Sequence, residues 1–286
     1  MIFASTRREL TALVRSTFHQ TIAQRLMAST SYPRPTAERA SELAANLADI
    51  RSRVQQAAKG ANFSPILVAV SKYKPAEDVM GCYEDGQRDF GENYAGELAE
   101  KAAALPADIR WHFIGTLQSN KCKPLAAIPN LYAIQTLDSA KKATALDRAL
   151  PPTRTEPLNV FIQVNTSAED SKSGLVPLLS SPEDDATTSS EVVSLARHIV
   201  KECPRLRLKG LMTIGSIDAS VSDGPNQDFE RLVRTRDTLK DVLAKDGFED
   251  RLELSMGMSA DFEDAIRAGS GYVRVGTSVF GARKKA

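Results

Sequence analysis

The chain has 286 residues, 42% hydrophobic and 26% charged, which fits one large soluble domain and excludes a membrane-spanning or low-complexity chain. Its 37 basic and 36 acidic residues leave a net charge of +1, which excludes a strong global pull toward nucleic acid or an anionic membrane. The three cysteines (Cys82, Cys122, Cys203) and three histidines (His19, His112, His198) are too scattered for a disulfide framework or a clustered metal site.

Residues 1–35 read as an N-terminal extension. Arg7, Arg8, Arg15 and Arg25 stand against one acid, Glu9, among serines and threonines. This composition suits a mitochondrial transit peptide, but the favoured reading is a poorly ordered extension or a mis-assigned start. Cytoplasm is the default expectation for the chain, with the mitochondrion as the alternative. Residues 36–286 read as one domain. Pro33 and Pro35 interrupt the chain before a predicted helix over Thr36–Lys59, whose Glu38 and Glu42 suit the first turns. Strands and helices then alternate. Strands are predicted at Ile66–Val70, Arg88–Phe90, Trp111–Ile114, Leu131–Gln135, Leu158–Val164, Leu206–Ile214, Leu252–Leu254 and Tyr272–Val275. Helices are predicted at Pro75–Gly86, Tyr94–Ala104, Asn120–Ile128, Ser139–Leu150, Ser190–Glu202, Gln227–Lys245 and Phe262–Ala268, with a helical tail from Ser278.

Repeated βα units require parallel strands and right-handed crossovers. Eight of them within about 250 residues favour a closed (β/α)₈ barrel. An open doubly wound sheet is the competitor, but it would want a Gly-rich turn after the first strand, where this chain has Ser71-Lys72-Tyr73-Lys74-Pro75. Val176–Ser189 is rich in Ser, Thr, Pro and acids and reads as a mobile surface insertion.

In such barrels chemistry gathers where strands end and helices begin. Lys72 directly follows five apolar residues. Burial there would lower its pKa from about 10.4 and expose a neutral amine able to attack an aldehyde. On position alone the favoured reading is a lysine running its charge out to water. Lys74, two residues on, is a second candidate amine. The loops after the seventh and eighth strands, Ser255-Met256-Gly257-Met258-Ser259 and Gly276-Thr277, place glycines and hydroxyls at neighbouring helix starts, a composition that suits a phosphate. An amine at strand one and a phosphate cradle at strand eight would bracket a ligand such as pyridoxal phosphate. Arg274 would lie near its ring and keep the ring nitrogen unprotonated.

Seven segments in order resemble the pyridoxal phosphate homeostasis proteins: AVSKYKP (69–75), FGENY (90–94), WHFIGTLQSNK (111–121), VNTSAEDSKSGL (164–175), GLMTIG (210–215), LSMGMSADFEDAI (254–266) and VRVGTSVFG (273–281). These are single-domain relatives of the bacterial alanine racemase N-terminal barrel, and the resemblance runs from Ala37 to Arg283. It implies that pyridoxal 5′-phosphate is held as an internal aldimine on Lys72 and that Arg274 faces the pyridine nitrogen. It implies that Ser255, Gly257, Ser259, Gly276 and Thr277 hold the phosphate and that Asn93 and Met212 line the ring pocket. Many relatives carry His where this chain has Thr116, so that position is given no role.

The resemblance implies a monomeric carrier or regulator of the cofactor, delivering it to apo-enzymes without turnover. The alternative is a PLP-dependent amino-acid racemase. Racemisation needs an acid/base on each face of the substrate carbon, and two-domain racemases resembling this barrel bring one of them from a second β-domain. The sequence stops at Ala286, so such a domain is not expected and the carrier is favoured.

Overall fold

A computed structural model describes residues 32–216, 218–219 and 224–282. The predicted N-terminal targeting segment, residues 1–31, lies outside the described residues.

Eight strands close into a parallel barrel in sequence order: β1 (Ile66–Val70), β2 (Asp89–Glu92), β3 (Arg110–Phe113), β4 (Leu131–Leu137), β5 (Leu158–Gln163), β6 (Leu206–Met212), β7 (Glu253–Ser255) and β8 (Tyr272–Val275). The helices are α1 (Ala37–Ala57), α2 (Ala76–Glu84), α3 (Ala95–Ala104), α4 (Cys122–Ala126), α5 (Ala140–Ala149), α6 (Asp185–Thr188), α7 (Glu191–Glu202), α8 (Gln227–Lys245), α9 (Phe262–Arg267) and α10 (Thr277–Phe280). The strands are apolar runs because both their faces are covered, by the barrel interior and by the helix layer. Closure is made by β1 and β8, with Val68 opposite Arg274 and Ala69 opposite Val275.

Helix α1 stands outside the eight βα units and seals that seam. Thr36 caps it by accepting the Arg39 amide at 3.2 Å, and its buried stripe is Leu43, Leu47, Ile50 and Val54, spaced to share one helical face. Arg39 bonds Asp78 of α2 at 2.6 Å and the Phe280 carbonyl of α10 at 2.8 Å. Asn46 reaches the Val279 carbonyl, and Arg53 pairs with Glu263 of α9 at 2.6 Å. One helix thereby ties together the elements flanking β1 and β8.

Several sequence expectations shift: the strand predicted at Leu131–Gln135 extends to Leu137, and the one predicted at Leu206–Ile214 ends at Met212. The strand predicted at Arg88–Phe90 begins one residue later and runs to Glu92. The helix predicted at Asn120–Ile128 is a 3₁₀ turn at Ser119–Lys121 followed by Cys122–Ala126, cut short because Pro129 disfavours helical backbone in the residue before it. The segment 176–189 is anchored, not a free loop. Leu178 and Thr187 are buried, the Leu178 amide donates to Thr235 Oγ1 of α8 at 3.1 Å, and residues 185–188 form α6. Among the described residues no helix is long and apolar enough to cross a membrane.

Candidate functional site

At the exit of β1 the backbone is held on both sides of Lys72. Lys101 of α3 donates to the Ser71 carbonyl at 2.7 Å, and the Tyr73 amide donates to Glu97 Oε1 at 2.7 Å. Tyr73 sits at φ 61, a left-handed conformation that costs of order 1–3 kcal/mol and persists only where surroundings enforce it. Its hydroxyl contacts that of Tyr94. Lys74 Nζ donates to the carbonyls of Phe280, Gly281 and Ala282 at 3.0–3.1 Å, fastening the C-terminus of α10 to the β1 loop. Lys74 is therefore a capping lysine; Lys72, partly buried, lies between the two held peptide groups at the strand exit.

The register of β1 with β8 brings the Lys72 loop beside the loop that starts at Gly276. After β7, Gly257 takes φ 91, and a Cβ there would lie 2.5 Å from that of Ala265. Only glycine lets this loop fold under α9, and its carbonyl then accepts the Arg274 amide at 3.0 Å. Two amides of these loops are already used. Met258 N–H donates to Asp261 at 2.6 Å and Gly276 N–H to Ser259 Oγ at 3.3 Å. The first-turn amides of Thr277 and Ser278 take no backbone acceptor among the described residues. Unfilled donors at a helix start are where an anion binds best.

Arg274 is buried, 4% exposed. Its Nη1 donates to Ser255 Oγ and its Nη2 to the Thr213 carbonyl, both at 2.8 Å. Burial pushes the guanidinium down to about 10, with the Asp261 charge opposing, so it is still a cation at neutral pH. The two bonds use two of the five N–H donors a guanidinium carries. Asn93, at the β2 exit, holds a buried Oδ1 with no partner among the described residues. Met212, the last residue of β6, lies in the interior cluster with Val68, Ala133, Phe161 and Tyr272. Thr116, given no role from sequence, is exposed. Lys72, Asn93, Met212, Ser255, Gly257, Ser259, Arg274, Gly276 and Thr277 thus all stand at the strand-exit end of the barrel.

Two polar systems escaped the sequence reading. Under the β1 loop, Glu92 is fully buried and its Oε1 accepts from Ser71 Oγ and Lys101 Nζ, each at 2.6 Å. Lys101 also meets Glu97 at 2.7 Å. Inside the barrel, Ser255 leads through Gln135 and His112 to Asp89. The only sequence signal for either was a polar residue set within an apolar strand, as in Trp111-His112-Phe113. The cysteines supply no nucleophile: burial pushes the Cys82 and Cys203 thiols up to about 12 and 11, far from thiolate at neutral pH. No metal-holding group of His, Cys, Asp or Glu occurs among the described residues.

An amine, a buried cationic donor, an unmatched amide oxygen and paired amides around one mouth fit a planar, phosphate-bearing aldehyde. Comparison with known proteins agrees. The family model described as alanine racemase, N-terminal domain, matches residues 40–284. A pyridoxal phosphate homeostasis protein of Schizosaccharomyces pombe is 47% identical over 234 residues, covering 82% of this chain and 90% of that protein. The human protein of the same name is 43% identical over 245 residues, covering 82% and 84%. Among solved structures, PipY of Synechococcus elongatus with PLP bound superposes with a TM-score of 0.62 at 29% identity, covering 84% of this chain and all of that one. An alanine racemase of Clostridium difficile shares the fold, with a TM-score of 0.60 at 14% identity, over 58% of its length. The chain belongs to the alanine racemase N-terminal domain family and, within it, to the pyridoxal phosphate homeostasis proteins.

Proposed function

We propose that this protein binds pyridoxal 5′-phosphate as a Schiff base on Lys72 and serves cofactor homeostasis, holding the cofactor for delivery to apo-enzymes without turnover of its own. The observation that carries the reading is the β1–β8 seam, which sets the Lys72 loop beside the open amides of Thr277 and Ser278, with Arg274 buried on the adjoining strand. When bound, the cofactor supplies an aldehyde for an amine and an electron-withdrawing ring. The chain's part is to present Lys72 as the amine, to hold a phosphate on the α10 amides and Ser259, and to set a charged N–H donor against the ring nitrogen. A fixed cation there disfavours a second positive charge on the ring and so weakens it as an electron sink. Relatives named for homeostasis match this chain over most of their length at 43–47% identity, whereas a racemase matches at 14%, which supports holding over racemisation. The working form we propose is a cytoplasmic monomer.

Reconstitution tests the reading. Purified protein mixed with pyridoxal phosphate should gain a long-wavelength absorbance band, and the loaded protein should reactivate a cofactor-depleted PLP enzyme. Alanine racemisation at rates near those of true racemases would overturn the homeostasis reading.

A further inference from the structure

The barrel interior holds an unbroken string of polar side chains where a wholly apolar core would pack more cheaply. Arg274 Nη1 donates to Ser255 Oγ at 2.8 Å, and Ser255 Oγ donates to Gln135 Oε1 at 2.7 Å. Gln135 Nε2 lies 2.9 Å from His112 Nδ1, and His112 Nε2 lies 2.9 Å from Asp89 Oδ1. Asp89 is bound in turn by Arg110. Ser255, Gln135 and His112 are completely buried, and Asp89 is 5% exposed. The string draws one residue from each of five strands, β8, β7, β4, β3 and β2. It runs from the mouth to the opposite end of the barrel, where Asp89 and Arg110 line a shallow cavity of about 310 Å³.

Its direction is determined at both ends. A guanidinium only donates and a carboxylate only accepts. Asp89 therefore accepts a hydrogen bond from His112 Nε2–H, and in the singly protonated ring Nδ1 is then the acceptor for the Gln135 amide. The Gln135 oxygen then faces Ser255, whose hydroxyl hydrogen points toward it and whose lone pairs face Arg274. Every link has one donor and one acceptor. Adding a proton at His112 Nδ1 would require Gln135 to turn over and would strip the Ser255 hydrogen of its acceptor. No carboxylate forms an ion pair with Arg274 within 4.0 Å among the described residues; the charge of Asp261 acts on it directly, and Asp89 closes the far end of the hydrogen-bonded string.

We propose that Ser255, Gln135, His112 and Asp89 are positioning residues for the cofactor ring. They hold the Arg274 guanidinium in one orientation, so that its remaining N–H donors meet the pyridine nitrogen, and they set how strongly it donates. The string also assigns Ser255 a different task from phosphate binding: its hydroxyl is committed to Gln135 and Arg274 inside the barrel. This inference rests on pyridoxal phosphate being the ligand of Lys72.

The test compares full-length protein with Gln135→Met, which cuts the string at similar volume, and Gln135→Glu. The latter keeps an acceptor for Ser255, demands a proton on His112 Nδ1 and brings a charge one hydroxyl from Arg274. Both are titrated with pyridoxal phosphate while the bound band is recorded. Gln135→Met should weaken binding about tenfold, the equivalent of one charge-assisted hydrogen bond, and Gln135→Glu should displace the pH at which the bound band changes. A string that only supports the fold would lower thermal stability and leave both readouts unmoved, which overturns the proposal. If either variant fails to fold, nitrogen-15 NMR of His112 in cofactor-free, unsubstituted protein decides. An Nε2–H tautomer upholds the direction argued above, and an Nδ1–H tautomer overturns it. If the unsubstituted protein forms no band with pyridoxal phosphate, both this inference and the proposed function fail. A band that forms but ignores Gln135 removes this inference alone.

Discussion

Strand β2 carries two carboxylates three residues apart that live in different worlds. Asp89 points into the barrel and Glu92 into the layer between strand and helix, as alternation along a strand requires. Burial pushes both carboxyls up, and neighbours decide the outcome. Asp89 has Arg110 on both oxygens and His112 on one, and these outweigh burial and hold it below the usual value. Glu92 has Lys101 and Ser71 on one oxygen and, among the described residues, none on the other, and burial prevails, raising it. A buried carboxylate is thus stabilised by satisfying both oxygens, and proximity to one cation is insufficient. The two also serve different ends: Asp89 terminates the string that reaches Arg274, and Glu92 anchors the lysine that grips the Lys72 loop.

The comparison breaks most visibly at Lys101. It is the shared partner of Glu92 and Glu97 and is 7% exposed. Lys101→Met should cost roughly 3–5 kcal/mol by leaving a buried charge uncompensated, read as a lower urea midpoint. A cost below about 1 kcal/mol would show Glu92 already neutral. Arg110, the corresponding cation for Asp89, is 48% exposed. Arg110→Met should cost about 1 kcal/mol or less, because solvent screens the pair and His112 remains. The smallest effect sharpens the contrast. Asp89 is depressed when folded, so its contribution is present above the ordinary value of about 3.9 and is lost as pH falls through its lower folded value. Glu92 is raised, so the folded state binds the extra proton and stability falls as pH rises from about 4.3 through its folded value. Unfolding free energies against pH for Asp89→Asn and Glu92→Gln, each subtracted from the unsubstituted protein, should therefore slope in opposite directions. Slopes of the same sign would refute the assignment of neighbours.

The fold was legible because eight apolar runs alternate with helical spacing, and β1, β8 and α8 fall where the pattern puts them. Where the reading slipped, a polar residue was buried by a distant partner. Glu92 looks like a loop residue until Lys101 is seen beside it. The segment 176–189 looks like a free loop until Leu178 meets Thr235 of α8. The site was legible in part for the same reason. Lys72 and Arg274 announce themselves by standing at strand ends, and the motif series marks them. That Lys74 caps α10 could not be read before the carbonyls of Phe280, Gly281 and Ala282 were seen around it. The Asp89–His112–Gln135–Ser255 string joins residues 23 and 120 positions apart, and local pattern carries no information about such pairings.

The central claim is that Lys72 is the amine that holds pyridoxal phosphate. Borohydride reduction of the loaded protein, followed by digestion and peptide mass mapping, tests it most directly. The account predicts a single phosphopyridoxyl adduct on Lys72 in the peptide containing residues 69–75, absent after Lys72→Ala. An adduct on Lys74 or on any other lysine, with Lys72 unmodified, would contradict it.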